Sequence, residues 1–285
     1  TMVMVRLLST LLKQPELGRY VVPIVPDEAR TFGMDGLFKV AGIYSPEGQK
    51  YRPVDADSLL PYREVADGQI LQEGICEVGA MASFMAAGSA YAVHGLPMIP
   101  FYIFYSMFGF QRVGDMIWSC GDMMCKGFLL GGTAGRTTLN GEGLQHQDGH
   151  SHILASTVPN LRSYDPAVGY EVAALVREGM HQMYALQQDV FYYLTLYNEN
   201  YAMPSLAQIA QQTGVTEEEI LQGVIAGGYR FYRGRADTAC TVHILASGSI
   251  MQQALSARDA LENIEIGVCL WSICLLYTSP SPRDF

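Results

Sequence analysis

Basic residues are scarce in this chain and nowhere cluster. Lysine and arginine number 18 against 28 aspartates and glutamates, a formal charge of −10, so no basic stripe exists to neutralise a phosphate backbone. That excludes a nucleic-acid groove. Paired cysteine motifs are also lacking. Cys76, Cys120, Cys125, Cys240, Cys269 and Cys274 form no CxxC and no regular framework, which suits reduced thiols in a cytoplasmic protein. Cys120 and Cys125 read as small buried apolar residues, because no second pair completes a metal site. Long apolar runs are missing too. The richest stretch, 78–92, is too short and too interrupted by Ser and Gly to span a bilayer, so no membrane partner is expected. Residues 2–12 are broken by Arg6 and lack a cleavage site, so they do not read as a signal peptide.

What remains is ample core material. The chain is 49% hydrophobic over 285 residues, enough for one large domain or two smaller ones. Continuous apolar runs bounded by turn residues mark doubly buried strands at 21–25, 99–105 and 190–196, with shorter ones at 128–131 and 161–164. Helical periodicity fits 3–12, 75–92, 108–124, 167–186 and 205–213. This alternation predicts an α/β fold, a doubly wound parallel sheet with flanking helices. In such sheets chemistry gathers at the carboxyl ends of the strands, where Asp27, Glu28, the segment 105–108 and the segment 198–201 fall.

Residues 45–66 are polar, proline-containing and long for a connector, a candidate functional loop. Thr216 is the expected N-cap of a helix with Glu219 three residues on, and 227–235 reads as a linker. From Cys240 the pattern restarts as strand (242–245), turn (246–249), helix (250–261) and strand (264–270), the first βαβ of a second α/β domain. Residues 274–284 (CLLYTSPSPRD) break that pattern and resemble a translated transposase adaptor from DNA-library preparation. Native sequence is therefore expected to end near Ile273, leaving Cys274 outside it.

The densest polar cluster is 137–152 (TTLNGEGLQHQDGHSH), preceded by GGTAGR at 131–136, which is too rich in Gly for a helix or regular strand. His146, His150 and His152 invite a metal reading, but no HExxH and no distant ligand accompany them. A hydrogen-bonding active-site loop with His146 or His150 for proton transfer is the better reading. The glycines could cradle a phosphate, yet neither GxxxxGK[ST] nor a spaced GxGxxG is present. Glu77 opens the most apolar helix, where a carboxylate is costly unless partnered. A first-turn glutamate favoured by the helix dipole would account for it equally well.

Five segments in one order change that balance: IVPDEARTFGM (24–34), GQILQEGICEVGA (68–80), PMIPFYIFYSMFGFQR (97–112), GGTAGRTTLNGEGLQHQDGHSH (131–152) and YNENYAMP (197–204). Together they closely resemble the homodimeric pyruvate dehydrogenases, the thiamine-diphosphate-dependent decarboxylating component of the pyruvate dehydrogenase complex. The resemblance covers residues 1–272. It implies a transketolase-like pyrimidine-binding middle domain at 1–204, a helical connector at 205–237, a truncated start of the carboxy-terminal domain at 238–273 and an adaptor-derived tail at 274–285.

By this resemblance Glu77 is the glutamate that hydrogen-bonds the aminopyrimidine of thiamine diphosphate, favouring the imino tautomer that deprotonates the thiazolium carbon. Low-dielectric surroundings would strengthen that bond. Phe108 matches the aromatic packed on the pyrimidine, Tyr105 a tyrosine of the substrate pocket and His146 a histidine near the reacting carbon. Glu28 matches an acidic residue of the same cleft, and Asp55 lies where the family's 45–66 loop orders over the site. The implied activity is oxidative decarboxylation of pyruvate, an oxidoreductase reaction, with acetyl transfer to the lipoyl group of a dihydrolipoyl acetyltransferase core. The implied assembly is a homodimer.

The family's GDG-to-Asn diphosphate motif has no match here, since neither 121–123 nor 148–150 fits it. The magnesium ligands are thus expected on a missing amino-terminal domain, with no metal ligand in this chain, and the chain alone is expected to lack turnover. Exposed apolar surface along 75–92 would follow from the missing partner. Three alternatives stand beside this reading: another thiamine-diphosphate 2-oxo-acid dehydrogenase or transketolase-like enzyme, a non-catalytic remnant domain, and a zinc hydrolase built on His146, His150 and His152.

Overall fold

The computed structural model describes residues 1–26, 29–135, 143–235, 237–238 and 240–275. Its main body is a six-stranded sheet in the order β4-β1-β5-β6-β8-β7, with every neighbouring pair parallel. In chain order the strands are β1 (Val21–Val25), β2 (Ile43–Tyr44), β3 (Glu64–Val65), β4 (Leu71–Gln72), β5 (Ile99–Tyr105), β6 (Phe128–Gly132), β7 (Leu161–Tyr164) and β8 (Phe191–Thr195). The helices are α1 (Met2–Leu12), α2 (Glu77–Val93), α3 (Ser106–Asp122), α4 (Ser151–Ala155), α5 (Gly169–Met180), α6 (Leu206–Thr213) and α7 (Glu217–Ala226). The doubly wound α/β reading holds, with its five longer strands placed to within a residue. The short edge strand β4 and the β2–β3 pair carry too little apolar pattern to be foreseen.

Helices cover the sheet in two sets. α2, α3 and α4 pack against one another and on β5, β6 and β7, whereas α1 and α5 pack together and reach β1 and β8. Strands covered in this way are apolar on both faces, and β1, β6 and β8 are buried throughout. Aromatic rings fill the interior: Phe101 stacks on Phe128 at 4.7 Å and Phe104 lies parallel to Tyr193 at 6.1 Å.

Glycines mark the closest approaches. A Cβ at Gly131 would sit 2.3 Å from the Tyr193 hydroxyl, and one at Gly132 would sit 2.6 Å from the Phe32 ring. The segment expected to be too glycine-rich for a strand therefore completes β6, because only glycine fits between those rings.

Beyond α7 come β9 (Tyr229–Arg233), β10 (Thr241–Ala246), α8 (Met251–Glu262) and β11 (Gly267–Ser272). β10, α8 and β11 form the expected parallel βαβ. The expected linker at 227–235 is instead strand β9, antiparallel to β11. Its alternation buries Tyr229 and Phe231, with Tyr229 meeting Tyr170 and Glu171 of α5. The Thr216 cap also holds: its side chain accepts from the Glu219 N–H at 3.2 Å, and the Glu219 carboxylate accepts from the Thr216 N–H at 2.9 Å.

Two buried carboxylates join the second sheet to the first. Asp165 accepts from Ser247 at 2.7 Å, and Glu171 accepts from Tyr229 and Ser272, each at 2.7 Å. Cys274 and Leu275 continue this junction past the expected end at Ile273. Cys274 is buried, its carbonyl accepts from the Asp165 N–H at 2.7 Å, and Leu275 bridges to Tyr164. Residues 276–285 of the expected tail lie outside the described residues. No helix of the described residues is long and apolar enough to cross a membrane.

Candidate active site

The site forms at the carboxyl end of β5, where the chain turns directly into α3, and at the amino end of the neighbouring α2. Cys76 caps α2, its sulfur accepting from the Gly79 N–H at 3.4 Å. Glu77 therefore occupies the first helical position, where unsatisfied N–H groups favour a carboxylate. Small residues let α2 bed deeply: a Cβ at Gly88 would lie 2.7 Å from the Lys126 carbonyl oxygen. The Glu77 side chain is 13% exposed, and its backbone carbonyl accepts from the Tyr102 hydroxyl at 3.3 Å. The apolar surface expected along this helix is real at Ile75, Val78 and Val93, all exposed.

Tyr105 ends β5 and Phe108 lies in the first turn of α3. Gly109 permits that tight start, because a Cβ there would fall 2.0 Å from the Phe104 ring. The loop from β6 brings His146 against both aromatics, with ring centroids 5.0 Å from Tyr105 and 5.3 Å from Phe108. Tyr105 and Phe108 meet edge to face at 5.8 Å, and Phe32 supports Tyr105 at 5.1 Å. The structure thus gathers Glu77, Tyr105, Phe108 and His146 into one cluster. Buried His146 Nδ1 has no hydrogen-bond partner among the described residues.

Arg112 is the member that sequence reading missed. It pairs with Glu77 Oε1, and its guanidinium carbon lies 4.3 Å from the centroid of the Phe108 ring. The expected apolar setting for Glu77 is therefore an ion pair over an aromatic face. A signal existed: Arg112 is four residues beyond Phe108, one helical turn along the same face.

The three histidines do not converge on an ion. His146 meets aromatic rings, His150 Nε2 lies 2.9 Å from Gln111 Nε2 on α3, and His152 lies between Ser163 (2.6 Å) and Thr195 (3.1 Å). His150 and His152 line a different cavity of 350 Å³ with Asp148, Asp165 and Tyr197. Among the described residues no cluster of three His, Cys, Asp or Glu could hold a metal, and the zinc-hydrolase alternative loses its geometric basis.

Asp148 pins this loop, accepting from the His150 and Ser151 N–H groups at 3.0 Å and from the Ser151 hydroxyl at 2.5 Å. Burial pushes its carboxyl up, but those donors outweigh burial and hold it below the usual carboxylate range. His152 is pushed below the ordinary histidine value by burial, against the pull of Asp165 and Asp148.

Glu28 and residues 136–142 lie outside the described residues. Asp55 belongs to a separate cluster in the 45–66 loop. It pairs with Arg30 and accepts from the Tyr62 N–H at 3.0 Å.

The parallel six-stranded sheet with its flanking helices has the transketolase-like α/β fold. Three solved structures share the fold. Transketolase from Leishmania mexicana matches with TM-score 0.69 at 17% identity, over 99% of this chain and 36% of that one. Transketolase from Pichia stipitis complexed with sedoheptulose 7-phosphate matches with TM-score 0.67 at 16% identity, over 95% and 34%. A split-gene transketolase, an inactive beta4 tetramer, matches with TM-score 0.60 at 16% identity, over 95% and 69%.

The family described as Pyruvate dehydrogenase E1 component middle domain matches residues 1–204, and the chain belongs to that family. Pyruvate dehydrogenase E1 component from Pseudomonas aeruginosa is 54% identical over 274 residues, and that from Escherichia coli K12 is 48% identical over 278. Each alignment covers 96% of this chain and 30% of the relative. The Cupriavidus necator protein of the same name is 53% identical over 263 residues, 92% of this chain and 28% of its own length. The chain thus spans less than a third of the relatives it matches.

Proposed function

We propose that this chain is the pyrimidine-gripping part of a pyruvate dehydrogenase, an oxidoreductase that decarboxylates pyruvate with thiamine diphosphate and passes the acetyl group to the lipoyl group of an acetyltransferase core. The observation that carries the proposal is the convergence of Glu77, Phe108, Tyr105 and His146 at the carboxyl end of β5 within a chain of this family.

The residues suit an aminopyrimidine. Glu77 supplies a carboxylate at a helix start, Phe108 an apolar ring face, and His146 a buried nitrogen without a hydrogen-bond partner among the described residues. Thiamine diphosphate, when bound, supplies a nucleophilic carbon and an electron sink for loss of carbon dioxide from a 2-oxo acid. Glu77 would hydrogen-bond a ring nitrogen of the aminopyrimidine and, as the carboxylate, accept from the N–H that nitrogen carries in the imino tautomer. Arg112 would fix the carboxylate's rotamer while remaining over Phe108. Tyr105 and His146 would line the pocket for pyruvate, with His146 Nδ1 able to hold or receive a proton near the substrate oxygen. Glu28 and Asp55 are proposed for the same cleft and its loop. Magnesium and the diphosphate would be held by the part of a homodimeric cytoplasmic enzyme that this chain does not supply, so the chain alone should show no turnover.

The test is Glu77→Ala and Glu77→Gln in the full-length enzyme carrying this segment. Each should lower pyruvate decarboxylation by about 10²-fold or more if the carboxylate moves a proton in catalysis. Activity within twofold of the parent for both variants would refute the role.

A further inference from the structure

The 45–66 loop is held by a polar hub together with half-buried Tyr62, which meets Phe38 edge to face at 5.8 Å. Of its larger apolar side chains, Tyr51, Val54 and Leu59 are all exposed. A loop of this length has a sizeable ordering cost, which its polar contacts must help offset. Its returning limb pairs with β2 through β3 and accepts from Gln72 at the Tyr62 hydroxyl, while its mid-section is tied to the body by Arg30, which lies outside the loop, a short way beyond β1. Arg30 Nη2 pairs with Asp55 and donates to the Leu60 carbonyl oxygen at 2.9 Å, while Nη1 reaches Asp35 at 3.5 Å. Asp55 in turn accepts from the Tyr62 N–H with both oxygens, at 3.0 and 3.2 Å. One guanidinium thus ties three points: the loop's mid-section, its returning limb, and the segment carrying Asp35. A 510 Å³ cavity lies between this hub and Gln72 and Gly74, directly before α2 and Glu77.

We infer that Arg30 is a positioning residue that holds the 45–66 loop closed beside the amino end of α2. A guanidinium can bridge a carboxylate and a carbonyl at once through its planar fork, which an ammonium cannot. Removing it leaves the Asp55 contacts within its own loop and takes away the guanidinium tie between that loop and the turn after β1. The inference concerns how the loop is held and does not depend on the proposed cofactor. Its failure is therefore separable from failure of the functional reading.

The experiment is limited proteolysis of the full chain with an endoproteinase specific for lysine. Lys50 lies in the loop and is exposed, and exposed Lys13 at the end of α1 serves as an internal reference. Cleavage at Lys50 relative to Lys13 follows the open population when opening and closing outpace cutting. Arg30→Met is expected to raise that ratio about fivefold, as befits a partly exposed ion pair reinforced by a carbonyl contact. Arg30→Lys should recover part of the protection. Asp55→Asn should match Arg30→Met, and the double variant should add little to either, since both remove one interaction.

Raising salt to about 0.5 M should increase the ratio in the parent chain but not in Arg30→Met, because screening weakens only the pair. An unchanged ratio in Arg30→Met, or additive effects in the double variant, would overturn the inference. If Arg30→Met loses its far-ultraviolet dichroism, the salt response of the parent decides: a rise supports the latch and a flat response overturns it.

Discussion

Glu171→Ala should weaken the joint between the two sheets more than any surface change could. Glu171 is fully buried in the first turn of α5. One carboxylate oxygen accepts from the Ala167 and Val168 N–H groups at 2.6 and 3.4 Å. The other accepts from the Tyr229 hydroxyl on β9 and the Ser272 hydroxyl on β11 at 2.7 Å. Truncation strands four buried donors and opens a small void. A stranded donor costs about 1–3 kcal/mol, but hydroxyls can turn, and Tyr229 retains Tyr170 as a partner. The expected loss is about 4 kcal/mol, within the range for removing one member of a buried polar network. For a chain of this size that lowers Tm by roughly 10 °C.

Glu171→Gln keeps the shape and one acceptor, and should cost about half as much. The two tryptophans provide the assay, since Trp118 lies on α3 and Trp271 on β11. With each replaced in turn by Phe, the fluorescence that remains reports one sheet at a time during urea unfolding. In Glu171→Ala the Trp271 signal should be lost at lower urea than the Trp118 signal. A cost below about 1 kcal/mol, or coincident transitions in the variant, would refute the joint.

The same residue gives a pH signature. Burial raises the Glu171 carboxyl above its ordinary value against the pull of its four donors. The folded state therefore holds that proton more tightly than the unfolded one. Stability from this group is complete below the unfolded pKa and declines as pH rises through the folded value, and Glu171→Gln should remove that decline.

Two further outcomes follow from other buried groups. Desolvation lowers the folded pKa of half-buried His152, so stability should fall as pH drops through the ordinary histidine value near about 6.5. For one proton the slope is at most about 1.4 kcal/mol per pH unit, and His152→Gln should flatten that limb in urea titrations; an unaltered slope would show that another group titrates there. Gly109→Ala places a Cβ 2.0 Å from the Phe104 ring. It should cost about 2–3 kcal/mol by thermal unfolding through overpacking, whereas Gly114→Ala on the same helix meets open space and should cost little.

Sequence alone determined the layers. Strands β1 and β5 carry apolar runs whose limits coincide with the observed ones, because a strand covered on both faces has no polar position to blur its ends. It also singled out Glu77, Phe108, Tyr105 and His146, through a resemblance spread over five segments, where periodicity alone would have left Glu77 a first-turn helix residue. Tertiary structure decided the rest. Arg112 became Glu77's partner only when α3 was laid beside α2, and Arg30 met Asp55 only when the 45–66 loop folded back on the turn after β1. Tyr229 and Ser272 found Glu171 across 58 and 101 residues of chain. β9, a linker by composition, became a strand because β11 offered an edge. Local pattern encodes which face of an element is buried. It does not encode which polar group waits on the other side, since that depends on distances set by packing.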